Sequence, residues 1–236
     1  MFKSVVVLSS AAVMFTMTAT PAFAFRSNPN AAICANVREQ VTPDQQIAAC
    51  NTFLRSFGIS RNDRAQAFKS RGNAYRSMQR YELALADYNE ALRLAPDYAN
   101  AYNNRGLARR FSGDLEGAIA DFSAAIDRDP AFAPAYSNRG SVHAELSNME
   151  AAIADQTAAI ELDPQLASAF NGRGIAYRAQ GELARAVADF DEAIRINGRY
   201  AEAYRNRAKA RAALGEAELA QADDDQADRL IAESGR

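Results

Sequence analysis

From Ala65 onward, apolar residues return at helical spacing in short blocks, and the blocks themselves recur every 34 residues. Ala stands at Ala65, Ala99, Ala133, Ala167 and Ala201, and again at Ala67, Ala101, Ala135, Ala169 and Ala203. An aromatic comes next (Phe68, Tyr102, Tyr136, Phe170, Tyr204), then Arg (Arg71, Arg105, Arg139, Arg173, Arg207), then Gly72, Gly106, Gly140, Gly174 or Ala208. Later in each block come Ala84, Ala118, Ala152, Ala186 and Ala220, and three residues on Asp87, Asp121, Asp155, Asp189 and Asp223. Ala91, Ala125, Ala159, Ala193 and Ala227 follow, and Pro96, Pro130, Pro164 and Gly198 close the first four blocks. In the second block the pattern predicts a helix from about Ala99 to Phe111. Ser112-Gly113-Asp114 breaks it, with Asp114 placed to cap a second helix. That helix carries Leu115, Ala118, Ile119, Phe122, Ala125 and Ile126 on one face and stops at Pro130. Gly106 and Ala118 are small enough to let the pair approach, with Tyr102 and Phe122 filling the space beside them. Each pair leaves an apolar face that the next pair must cover.

These columns resemble the tetratricopeptide repeat from Ala65 to about Arg236. The resemblance implies an all-α fold, an α-solenoid in which antiparallel helix pairs wind as a right-handed superhelix. Its units are 65–98, 99–132, 133–166, 167–200 and 201–236, the last with a C-terminal capping helix. The sequence departs from the family where Arg precedes each small residue, a position usually held by Leu. It departs again in the last helix, expected over Glu216 to Ile231, which carries Asp223, Asp224, Asp225 and Asp228. Asp224 replaces the ring found at Phe122 and Phe190, as suits an end with no further unit to cover.

Ahead of the repeats, residues 25–64 read as a tail and a helical cap. The expected parts are a loose tail over Phe25 to Asn30, a short helix over Ala31 to Val41, and a helix running to Phe57. Thr42-Pro43-Asp44 supplies the start of that last helix. Residues 1–24 read as a signal peptide: Lys3, an apolar run from Val5 to Met17, and small residues up to Ala24, where cleavage is expected. The run is shorter than a bilayer span. Export to the periplasm or medium of a bacterium is the expected destination. Cys34 and Cys50 are then an even pair in an oxidising compartment, on adjoining predicted helices, and a disulfide is expected.

Charge narrows the function. The 27 basic and 29 acidic residues nearly cancel, without the basic excess that nucleic-acid binding requires. His143 is the one His, and it has no catalytic or metal partners at matched spacing. No phosphate loop, zinc-protease motif or nucleophile elbow occurs. The acidic run lacks the alternation and Gly turn of a calcium loop. No enzyme, cofactor or metal is expected.

The invariant columns are read as architecture. Arg71–Asp87, Arg105–Asp121, Arg139–Asp155, Arg173–Asp189 and Arg207–Asp223 are expected to be ion pairs between the two helices of each unit. Independent solvated charges are the alternative. The resemblance places a concave groove on the first helices, where the variable positions are Lys69, Asn73, Arg76, Asn100, Asn103, Asn104, Arg110, Asn138, Asn171, Arg178 and Asn206. Leu107, Phe111 and Ile175 add apolar contact. Asn can both donate to and accept from a peptide backbone. Lys69, Asn73 and Asn104 also match part of a clamp that some family members use for a partner's C-terminal carboxylate. Pro134 and Asn138 stand where two further basic residues would be needed. The expected function is a non-catalytic scaffold or adaptor for a protein or peptide. A regulatory subunit of an envelope enzyme complex, or a self-assembling structural protein, are the alternatives.

Overall fold

The computed structural model describes residues 29–36 and 41–234. The expected signal peptide, its cleavage site and residues 25–28 of the expected tail lie outside them. The described residues are helical without a strand, in the order α1 (Pro29–Cys34), α2 (Pro43–Leu54), α3 (Arg61–Ser77), α4 (Tyr81–Leu94), α5 (Ala99–Ser112) and α6 (Leu115–Arg128). They continue as α7 (Ala133–Glu145), α8 (Met149–Leu162), α9 (Ala167–Ala179), α10 (Leu183–Ile196), α11 (Ala201–Ala213) and α12 (Ala217–Ser234). From α3 onward the helices form five pairs, each packed on the next, which is an α-solenoid. None of the described helices is long and apolar enough to cross a membrane.

Local chemistry sets the helix ends. Thr42 caps α2 in a capping box: Gln45 N–H donates to its hydroxyl, and Thr42 N–H donates to Gln45 Oε1 at 3.0 Å. Asp114 caps α6 by accepting from Gly117 N–H at 3.0 Å. The tight turn within each pair demands one left-handed residue at the same place in all five units. Gly113, Gly181 and Gly215 fill it with φ of 91°, 80° and 84°, and Gln79 and Ser147 with 59° and 63°.

The N-terminal region differs from expectation. Pro29 and Asn30, expected in the tail, are helical, and the helix expected to reach Val41 stops at Cys34, with Asn36 left-handed at φ 53°. The next helix ends at Leu54 instead of Phe57, and Phe57 projects wholly into solvent. Cys34 and Cys50 are bonded as a disulfide, with Cα atoms 4.6 Å apart. Gln46 Nε2 donates to Cys34 O at 2.9 Å, and both cysteines are buried with Ala31, Ala49, Phe53 and Ala67. This pair covers the first face of α3. The first repeat helix also begins one turn earlier than Ala65, at Arg61, because Ser60 caps it through Asp63 N–H.

Within the pairs, the room left by glycine is taken by a ring. A Cβ on Gly106 would stand 2.7 Å from the Phe122 ring, and one on Gly174 2.6 Å from the Phe190 ring, so Phe122 itself, beside Ala118, fills the contact. The third unit has Gln156 in place of the ring. There a Cβ on Gly140 would meet Ala152 O, Asp155 Cβ and the Gln156 amide, each at 3.1 Å. Gly174→Leu should therefore cost more than Gly140→Leu, for which strain of about 1–3 kcal/mol is typical. The buried Phe190 ring stands nearer the added atom than any of the three neighbours at Gly140. Thermal melts of the two variants compare them, and a larger loss for Gly140→Leu would contradict the packing described.

Candidate partner-binding groove

Each invariant Arg reaches an invariant Asp in two parallel hydrogen bonds, a geometry that fits guanidinium to carboxylate. In the second unit Arg105 Nε donates to Asp121 Oδ2 at 2.9 Å and Nη2 to Oδ1 at 2.6 Å. Arg71–Asp87, Arg139–Asp155, Arg173–Asp189 and Arg207–Asp223 repeat it at 2.5–2.9 Å. The Asp side chains are buried, while each Arg guanidinium lies over the unit's first aromatic, as that of Arg105 does over Tyr102 with 5.4 Å to the centroid. Hydrogen bonding to Asp87 is the main influence holding the Arg71 guanidinium above its ordinary range.

The third nitrogen of each Arg goes elsewhere. Nη1 of Arg71, Arg105, Arg139, Arg173 and Arg207 donates to Asn51, Asn89, Ser123, Thr157 and Asp191 at 2.5–3.2 Å. All five acceptors sit on the preceding pair's second helix. Sequence reading missed this column because its residues share only an oxygen acceptor. It also missed Arg109 and Arg211, which add a second cation to Asp121 at 3.0 Å and to Asp223 at 2.8 Å. His143 occupies the same column, 3.9 Å from Asp155. The last helix's acids are distributed in the same way: Asp223 is paired, Asp228 meets Arg205 at 2.6 Å, and Asp224 and Asp225 are exposed. No group of described residues could hold a metal ion.

Consecutive first helices (α3, α5, α7, α9, α11) touch one another, while consecutive second helices make no comparable contact. The stack therefore curves with the first helices inside. The exposed column Ala86, Ala120, Ala154, Ala188 and Ala222 lies on the second helices, on the outer side.

Of the residues expected to face the groove, Asn103, Asn171 and Asn206 are buried, although Asn171 still lines the groove's cavity. Asn138 Nδ2 donates to Asn103 Oδ1 at 2.9 Å and Asn206 Nδ2 to Asn171 Oδ1 at 3.0 Å, so these amides bond first helix to first helix. The next unit covers Asn103 and Asn171, a burial invisible in one unit's periodicity. Arg205, the equivalent in the last unit, stays exposed. Asn73 and Asn104 do come together: Asn73 Oδ1 accepts from Asn104 Nδ2 at 3.0 Å and from the Tyr88 hydroxyl at 2.8 Å. Burial pushes that hydroxyl up to about 12 and lowers the ammonium of Lys69, one turn from Asn73 and 5.9 Å from the Tyr98 ring. Arg76, Leu107 and Arg178 are half-buried, and Phe111 is exposed and stacks on Tyr81 with centroids 6.4 Å apart.

The groove deepens across the middle units into a cavity of about 420 Å³, lined by Arg110, Asn138, Ser141, Glu145, Gly172, Ile175, Tyr200 and Glu202 among others. Arg110 Nε donates to Glu145 Oε1 at 2.8 Å, joining α5 to α7 across its rim.

Family models for the TPR repeat match residues 72–110 and 174–215, and one for the tetratricopeptide repeat matches 104–167. MamA from Desulfovibrio magneticus RS-1 superposes with a TM-score of 0.62 at 17% identity, over 74% of this chain and 98% of its own. PilF of Pseudomonas aeruginosa gives 0.66 at 20%, over 72% and 77%. YrrB, described as a TPR protein with an unusual peptide-binding site, gives 0.57 at 22%, over 78% and 93%. At these identities the likeness concerns the fold. No curated protein matches the chain in sequence.

Proposed function

Because the chain belongs to the tetratricopeptide-repeat family, we propose that it is a non-catalytic scaffold whose concave face holds an extended segment of a protein partner. The observation that carries this reading is the cavity in the inner face, to which four successive units contribute. Its volume falls in the range of sites that enclose a ligand. Apolar Ile175 and Ala144 lie beside polar Asn138 and Ser141, a mixture suited to a peptide's side chains and backbone. The peptide-binding site of YrrB, on the same fold, lends support. The disulfide accords with an oxidising, exported location.

A photo-crosslinking residue placed at Ala144, inside the groove, should give protein adducts in the cell envelope. The same residue at Ala120, on the outer face, should give few. Equal adducts from both positions, or none from Ala144, would overturn the reading.

A further inference from the structure

Among the five units, the third lacks a ring where Tyr88, Phe122 and Phe190 stand in others, and carries Gln156, which is wholly buried. Its Nε2 donates to Ser137 O at 2.9 Å. A carbonyl oxygen can only accept, so this contact fixes the amide's orientation and makes the other end the oxygen. That oxygen, Oε1, has no partner among the described residues. A buried acceptor left unpaired is costly in a fold that satisfies its polar groups.

The adjoining position in the fourth unit is changed as well. Where the second, third and fifth units have Asn104, Asn138 and Asn206, the fourth has Gly172. A Cβ on Gly172 would lie 2.5 Å from Gln156 Nε2 and 3.2 Å from Oε1. Gly172 lines the groove cavity and packs on the Gln156 amide, whose nitrogen is the nearer of its two ends. The two departures from the repeat pattern thus meet at the cavity floor.

The rim has a matching bias. Glu145 already takes Arg110, and one cation is thereby neutralised. Glu202 makes no ion pair among the described residues, so the cavity keeps an uncompensated carboxylate. Ile175 and Met149 offer apolar wall for a methylene stem. We infer that this cavity receives a basic side chain, lysine or arginine, from the partner segment. Its charged head faces Glu202, and its stem lies along Ile175 and Met149. This inference rests on the groove being the binding face and adds the chemistry of what enters it.

The test uses the full chain, labelled with ¹⁵N and titrated with N-acetyl-lysine methylamide. The arginine, norleucine and glutamate counterparts serve as comparisons, each to about 20 mM, a range suited to the millimolar affinity of one side chain. The lysine and arginine probes should shift the Gly172 and Ile175 amides and the Gln156 side-chain NH₂, and the other two should shift them less. Glu202→Gln should weaken the basic probes roughly 2- to 5-fold, as an exposed charge contact does. Gln156→Met, behind the cavity lining, should leave the basic preference in place, so a loss there without a loss in Glu202→Gln would overturn the role given to the carboxylate. If norleucine binds at the cavity as well as lysine, the basic preference is wrong although the groove reading stands. If glutamate binds best, or no probe shifts these residues, the inference is overturned, and the crosslinking experiment then judges the groove separately.

Discussion

Asp121→Ala should destabilise the protein by about 3–5 kcal/mol, the range for removing one partner of a buried ion pair. The carboxylate is the only one that Arg105 grips with two nitrogens, and Arg109 binds it as well. Its side chain is 3% exposed and that of Arg105 17%, so solvent cannot replace the lost bonds fully. Removal takes the main carboxylate partner from two guanidinium groups at once, leaving Arg105 with Asn89 and Arg109 with Asp114. Arg105→Leu should cost less, because Asp121 keeps Arg109. Denaturant unfolding of both single variants and the double variant forms a cycle. The expected sign is a double-variant loss smaller than the sum of the singles. Strict additivity would mean that the two charges do not interact and that the columns exist for another reason.

The second large effect is expected at the other end of the chain. Replacing both Cys34 and Cys50 by Ser should remove about 3 kcal/mol of stabilisation in the chain-entropy account. The bridge closes a separation of 16 residues and ties α1, only 6 residues long, to α2. So short a helix does not persist on its own in water. The loss should be local, because each pair touches only its neighbours. Hydrogen exchange should quicken through residues 29–54, while α9 to α12 keep their protection. Unchanged exchange in α1 would show that the buried contact of Ala31 with Phe53 and Ala67 suffices without the bond.

The sequence carried the fold because the repeat period is rigid: Ala, aromatic, Arg, Gly and Asp each return at a fixed step, and periodic burial follows from periodic apolar residues. The Arg and Asp columns could be paired on paper for the same reason. Exposure within the first helices was less legible. Asn103 and Asn104 are neighbours in sequence, yet Asn103 is buried and Asn104 only half-buried, because the following unit covers one more than the other. The acceptors of the Arg Nη1 atoms escaped notice because Asn89, Ser123, Thr157 and Asp191 look unrelated as letters. Gln156, which stands in the column of Phe122 and Phe190, was not singled out in the sequence, and its unpaired oxygen shows only in the packing around it. At the N-terminus the helix ends shifted because Asn36 and Gly58 turn the chain left-handed, a backbone choice that apolar spacing does not encode.

The backward reach of each Arg gives the solenoid a direction. Every repeat is fastened to the one before it by the same side chain that fastens its own two helices, so opening one joint loosens two. Each repeat therefore supports the one before it. Within the described chain, α12 is the second helix that no later Arg grips, and Asp225, at the place of Asn89 and Asp191, bonds only to Gln221 of its own helix. The opposite end is held by Asn51 and a covalent bond. Fraying should thus begin at α12 and travel toward the N-terminus, with the earliest repeats the last to let go.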